Sequence, residues 1–427
     1  QATWDEPSSK WRLKIQQDGE EKQDECNILI DGSGFLNNWN WPGIEGLHDF
    51  KGELVHTANW NPSIDVAGKK VAVIGNGASA IQVLPQLQKT AAQLTNYIRS
   101  PTWIFANHAA ELTKDGTNFA FIEEEKKGFC DNPVSLFKLR KDIERSEDNF
   151  FNVFFKGSAA QKAALAQAHV SMRERLGNDQ ELCDKLIPHY ELGCRRATPG
   201  DGYLEALREK NAKVNVNTIV QITESGIQTT HEHTKFDIIV CATGFDVSFR
   251  PSWTVQGRNG YQLNLAWSDS PEAYFGITAP NTPNYFIYNG PNSPAVDHGS
   301  LLENIFCVTK WILKWCRKMA TEDIKSICVK QEALDDYNTY SQEFLKGMVW
   351  SGSCRSWYKN GKSDGRVIAL YAGSRLQFRE LASEILESFR TEDSDIEYGS
   401  VNRFRFMGNG MTLREARGGD LSHCMEN

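Results

Sequence analysis

Several familiar features are missing from this sequence, and each absence narrows what it can be. No run of 18 apolar residues occurs among its 427, so it carries no segment with the pattern of a membrane-spanning helix. Basic residues are not in excess: 47 Lys and Arg stand against 55 Asp and Glu, for a net charge of −8. That balance argues against nucleic acid or an anionic membrane as the main partner. The ten cysteines are scattered, with no C-x-x-C pair and no clustered Cys/His spacing. Zinc and a disulfide scaffold are therefore disfavoured, and reduced thiols in a cytoplasmic setting are expected. His231-x-His233 has a metal-like spacing, but it sits in a polar turn region with no third ligand nearby, so a solvated loop is expected and no metal. No Ser-His-Asp or paired-carboxylate arrangement stands out, and no repeat is found.

What is present suits a globular chain of two or three domains. Twelve Trp and 22 Phe are enough for large cores or for packing against a planar ligand. The chain opens on Gln1, and residues 10–15 read as a strand already under way. A natural N-terminus further upstream is the expectation.

The strongest local signal is Lys70-Val-Ala-Val-Ile74 followed by Gly75-Asn-Gly77-Ala-Ser-Ala80. This is a buried strand entering a G-x-G-x-x-A turn that opens a helix. Gly75 permits the tight turn, Gly77 lets backbone N–H groups approach a pyrophosphate, and Ala80 lets the helix pack closely. Asn76, Ala78, Ser79 and Gln82 complete the expected cofactor-binding stretch. Helical periodicity runs over 78–94, and residues 94–98 read as the second strand. An NAD site places a carboxylate at the end of that strand. Here Arg99 and Ser100 stand there, and a guanidinium pairs with a 2′-phosphate, so NADP is the expected cofactor. The competing reading of Arg99 is a solvated surface cation.

Elsewhere the pattern is coarser. Residues 1–34 read as short β elements around a polar turn at 16–25, and 37–42 as a Trp/Pro loop. Residues 106–190 are rich in Ala, Lys, Glu and Gln and predict a helical insertion. Strands return at 213–216, 219–222 and 236–241. Residues 284–288 and 366–370 read as further strands. Ser300-x-x-Glu303 is a capping box before a helix through Trp315. The tail from 393 is polar and Gly-rich, with poor order expected at its end.

Phe50-x-Gly52-x-x-x-His56-x-x-x-Trp60 precedes the glycine turn, and Ala242-Thr-Gly-Phe-Asp246 follows the strand at 236–241. Together with the glycine turn, and with Leu192-Gly-Cys-Arg-Arg196 followed by Pro199 and Tyr203, they resemble the flavin-dependent monooxygenases of the Baeyer–Villiger type. The resemblance covers roughly residues 1–385, including Gly290-Pro-Asn-Ser-Pro294 and Cys354-Arg-Ser-Trp-Tyr358, which are similar to family segments near the flavin face. It implies an α/β fold: a Rossmann-like NADP-binding domain with a helical insertion, plus a partial FAD domain. The implied domains are 1–65 (FAD-domain remnant and fingerprint linker), 66–105 and 191–245 (NADP-binding domain), 106–190 (insertion) and 246–427 (C-terminal part of the FAD domain, and tail).

The resemblance also implies FAD and NADP as cofactors, and a ketone and molecular oxygen as substrates. The product is an ester or lactone, in the style of fungal secondary metabolism. Arg196 takes the place of the catalytic arginine, with Arg195 its basic neighbour. His56 serves the linker between domains, with Phe50, Gly52, Trp60, Thr243, Gly244 and Asp246 as fingerprint and linker residues. Taken singly, His56 is a satisfied buried histidine, Trp60 a core aromatic, Arg196 a surface cation and Asp246 a turn residue. The family's first G-x-G-x-x-G, which holds FAD, is not in this sequence. Two further readings therefore stay open beside the oxygenase: a cofactor-light isomerase or cyclase, and a non-catalytic NADP-binding remnant.

Overall fold

The apolar runs Val71-Ala-Val-Ile74 and Ile238-Ile-Val-Cys241 have no polar alternate positions because both faces of their strands are covered. The computed structural model describes residues 1–105, 107, 109–196, 198–294, 300–321, 324–382, 410–412, 415 and 417–419. Those two runs form adjacent strands of a five-stranded sheet in the order Ala212–Asn215, Gln93–Tyr97, Lys70–Ile74, Ile238–Cys241, Glu53–His56. All neighbours are parallel, as expected of strands buried on both faces. Helix Ala78–Gln88 connects Lys70–Ile74 to Gln93–Tyr97 and buries Ala80, Ile81, Leu84 and Leu87, one stripe at helical spacing. The helix stops short of the expected residue 94, because Leu94 is committed to the sheet opposite Val71.

This sheet belongs to a compact unit formed by Asn38–Phe121 and Gly157–Asp246. The unit also holds helices Ala159–Arg175 and Gln180–Leu186, which come from the expected insertion. Strand Glu53–His56, from within the fingerprint, pairs with Ile238–Cys241 along its whole length. Gly52, just before it, has no room for a side chain. A Cβ there would lie 2.4 Å from the Asp237 carbonyl oxygen and 2.6 Å from the Phe50 ring. Asp237 also accepts the Lys70 N–H through its carboxylate at 2.8 Å, so it fastens the starts of two strands.

The other unit comprises Gln1–Asn37, Ile122–Lys156 and the described residues from Val247 onward. Its antiparallel strands Ala2–Asp5, Lys10–Gln17 and Glu20–Cys26 are joined at one edge by Val255–Gln256. The stretch expected to be a polar turn at 16–25 is therefore mostly strand. The turn is confined to Asp18 and Gly19, both at positive φ (54° and 85°), which is the two-residue geometry that matches strand twist. Residues 20–25 are exposed throughout, so the strand shows none of the alternation that marks a half-buried one.

A second, parallel pair joins Leu29–Asp31 to Tyr285–Ile287. Helix Leu301–Thr321 begins after Ser300, whose Oγ accepts the Glu303 N–H at 3.3 Å. Residues 366–370 are not a strand, though 367–370 are buried. Val367 donates to and accepts from the Gln342 side-chain amide at 3.1 and 3.0 Å. Ile368 donates to the Tyr358 carbonyl at 2.8 Å. These partners satisfy the backbone without a ladder.

Seven of the described cysteines are free thiols. Among the described residues no helix is long and apolar enough to cross a membrane. Most of the tail from 393 lies outside the described residues.

Because the Gly52 Cβ position is blocked by backbone, Gly52→Ala should destabilise the unit by about 1–3 kcal/mol, the usual range for overpacking. Urea denaturation against the parent measures this, and Gly77→Ala, where a Cβ meets nothing within 4 Å, is the matched control.

Candidate functional site

The glycine turn is held by three strand ends. Gly75 sits at φ 115°, and a Cβ on it would be 2.5 Å from the Ala242 carbonyl oxygen. Its N–H donates to the Tyr97 carbonyl at 2.9 Å. Asn96, fully buried in the second strand, donates from Nδ2 to the carbonyls of Val73 (3.0 Å) and Gly75 (2.8 Å). Its Oδ1 accepts from the Tyr203 hydroxyl at 2.9 Å. Asn76 Nδ2 donates to the Ser100 carbonyl at 2.8 Å. Gly77 caps helix Ala78–Gln88 without a side-chain bond, and its Cβ position is open. Ala80 is fully buried and Ser79 half-buried. Gln82 is turned back to the Ala78 carbonyl at 3.1 Å. The result is a fixed turn with first-turn N–H groups and clear space beside them, suited to an anionic ligand.

Beyond the turn lies a cleft of about 340 Å³ whose lining includes Arg99, Ser100, Pro101, Lys185 and Val216. The Arg195 guanidinium reaches its rim. Nη2 donates to Ser100 Oγ at 2.9 Å and Nη1 to the Pro101 carbonyl at 3.4 Å. The guanidinium lies over the Tyr190 ring, 5.2 Å from its centroid. Tyr190 donates its hydroxyl to the same Pro101 carbonyl at 2.9 Å, and burial pushes the phenol up, so it stays neutral. Arg195 Nε is buried without a hydrogen-bond partner, so this cation retains donor capacity. Arg196 is exposed, and its backbone carbonyl accepts from Thr198 Oγ1 at 3.3 Å.

His56 ends its strand almost wholly buried. Nδ1 accepts the Ala58 N–H at 3.1 Å, which fixes the proton on Nε2, 3.2 Å from Thr243 Oγ1. Trp39 stacks on the imidazole at 4.5 Å and 15°, and Trp41 meets it edge-on at 5.8 Å. Burial lowers the His56 pKa, consistent with a neutral ring. The residues after Thr243 continue the same arrangement. Gly244 is at φ 87°, Phe245 bridges to Trp39, and the Asp246 N–H donates to the Asn38 carbonyl at 2.7 Å. Phe50 is buried in the sheet's core, whereas Trp60 is 37% exposed, which departs from its reading as a core aromatic. His231 and His233 bond to Thr230 and Thr223 hydroxyls.

Within this unit the structure gathers Gly75 to Ala80, Arg99 and Ser100 at the carboxyl ends of the strands, and joins His56 to Thr243. Sequence reasoning missed Asn96, Trp39, Trp41 and the charged cleft residues of helix Gln180–Leu186. An asparagine between Thr95 and Tyr97, in the strand expected to follow the glycine-turn helix, was the available signal for the first. The others depend on tertiary contacts.

Comparison with known proteins follows the same lines. Residues 5–116 match the family described as flavin-binding monooxygenase-like. The FAD-binding monooxygenase tazF of Aspergillus terreus is 45% identical over 430 residues, covering 99% of this chain and 76% of that protein. A Baeyer-Villiger monooxygenase of Pseudomonas aeruginosa is 32% identical, over 89% of this chain and 70% of its own. Cyclohexanone monooxygenase from Rhodococcus sp. Phi1, solved bound to NADP+, superposes with a TM-score of 0.77 at 22% identity, over 92% of this chain and 79% of that one. The last likeness speaks to fold alone, and it bears out the expected α/β fold of the flavoproteins with two dinucleotide-binding domains, of which this chain was expected to hold the FAD-binding one in part only.

The neutral His56 sets a pH dependence. Its folded pKa lies below the ordinary 6.5, so the unfolded chain binds the proton more readily. Its contribution is complete above about 6.5 and is lost as pH falls through the lowered folded value. His56→Gln should flatten this acid-side loss, by at most about 1.4 kcal/mol per pH unit for one proton. Denaturation midpoints of parent and variant between pH 5 and 8 measure the difference.

Proposed function

This chain belongs to the FAD-binding monooxygenases of the flavin-binding monooxygenase-like family, and we propose that it inserts oxygen beside a ketone carbonyl at the expense of NADPH, giving an ester or lactone. The observation that carries the cofactor assignment is the placement of Arg99, Ser100 and Arg195 where an NAD site keeps a carboxylate. A carboxylate there accepts from a ribose hydroxyl; guanidinium groups attract a 2′-phosphate. The fixed turn at Gly75 and Gly77, the open Cβ position and the unpartnered Arg195 Nε fit the pyrophosphate and 2′-phosphate of NADP.

For FAD the residues in hand form part of a site. The other unit offers the parallel pair Leu29–Asp31 and Tyr285–Ile287, and no G-x-G-x-x-G turn is present in the sequence. FAD supplies the activation of oxygen when bound. The chain's own residues bind and orient. The Gly75 turn fixes the dinucleotide phosphates, and Arg195 holds the loop at Ser100 and Pro101. His56 fastens the segment Thr243–Asp246 by its Nε2 proton. Arg196, exposed and permanently charged, is our candidate for stabilising negative charge that develops on oxygen as the ketone is attacked. We extend the proposal to a setting in fungal secondary metabolism; the Aspergillus terreus source of tazF is consistent with a fungal setting.

Two measurements test this. The full chain supplied with FAD should show a visible flavin band that NADPH bleaches, and a protein that takes up no FAD counts against oxygenation by this chain. Arg196→Ala should retain NADPH binding and lose ester formation by about a hundredfold or more, the scale for removing a charge-stabilising donor. Ester formation at the parent rate would remove Arg196 from this role.

A further inference from the structure

The cleft beside Ser100 has a second wall. Helix Gln180–Leu186, capped by Asp179 accepting the Leu182 N–H at 3.0 Å, turns Glu181, Asp184 and Lys185 toward it. Their i, i+3 and i+4 spacing puts all three on one face. Asp184 is engaged by Gln180, whose Nε2 donates to it at 2.6 Å. Lys185 Nζ donates to Glu181 Oε1 at 2.5 Å, but the partners differ in setting: the lysine side chain is 28% exposed and the glutamate 78%. The lysine side chain lines the cleft, and its counter-ion is mostly in water. Pairs so solvated contribute little to folding, and the partner is readily exchanged.

We propose that Lys185 is a specificity residue for the 2′-phosphate of NADP, with Glu181 as the counter-ion that the phosphate displaces. This rests on the NADP assignment above and adds a cation from the insertion to those at Arg99 and Arg195. A phosphate monoester carries more charge than a carboxylate and three acceptor oxygens. Lysine is a compact charge on a flexible stem and changes partner without moving the backbone. A ribose hydroxyl cannot compete for the ammonium in this way, so the exchange favours NADP over NAD.

The test is calorimetric titration of the full chain with adenosine 2′,5′-bisphosphate and with 5′-AMP, which differ only in the 2′-phosphate. The parent should prefer the bisphosphate. Lys185→Ala should reduce that preference about tenfold, the scale of one charge-assisted contact, and leave AMP affinity within about twofold. Lys185→Arg should retain most of the preference, and Glu181→Gln should strengthen bisphosphate binding alone. An unchanged preference in Lys185→Ala overturns the proposal. If Lys185→Ala also loses AMP, Glu181→Gln decides, and no gain for the bisphosphate overturns it. A parent that binds both ligands alike overturns the NADP assignment itself.

Discussion

The chain leaves strand Lys70–Ile74 through a residue with no space for a side chain, and the whole ligand-facing edge of the sheet depends on that crossing. Gly75 lies against the Ala242 carbonyl, so the glycine turn and the segment that begins at Ala242 share one contact surface. Neither can shift alone. Asn96 holds the carbonyls on both sides of Ile74, and Asn76 reaches the Ser100 carbonyl. Three strand ends are thereby locked into one rigid edge before any ligand arrives. A site fixed in this way loses little conformational freedom on binding, which is the main advantage of preorganisation.

Two adjacent arginines divide the work at the far side of that edge. Arg195 is fastened to Ser100, Pro101 and the Tyr190 ring, and Arg196 stands in solvent. One guanidinium is fixed to the loop at Ser100 and Pro101, and the other belongs to an exposed side chain. Replacing Arg195 by lysine would keep the charge but lose the fork that reaches two acceptors and the flat face that covers Tyr190.

Much of this was legible in the residues. The strand–turn–helix around Gly75, the second strand and the strand before Ala242 all announce themselves through buried apolar runs next to glycine. The parallel sheet follows from them. The hairpin at Asp18 and Gly19 was hidden because its second strand is polar on both faces, so periodicity had nothing to report. Residues 366–370 misled in the opposite way: they are apolar and buried, but the Gln342 amide takes the place of a neighbouring strand. The environment of His56 was half legible. Its spacing from Phe50 and Trp60 marked it, but the Trp39 ring stacked on it and the Trp41 ring edge-on to it come from the Trp/Pro loop, whose partners only the fold decides. The second wall of the cleft was illegible, because helix Gln180–Leu186 reaches it only through the fold.

The interleaving of the two units bears on how the chain matures. One unit is finished once residue 246 has been synthesised, whereas the other needs residues that follow Val247. Strand Ala2–Asp5 finds its parallel neighbour only at Val255–Gln256. A chain that folds as it emerges therefore completes the glycine-turn unit first. Until then strands Ala2–Asp5, Lys10–Gln17 and Glu20–Cys26 lack that neighbour, and the exposed polar residues of Glu20–Cys26 guard the opposite edge against joining other chains.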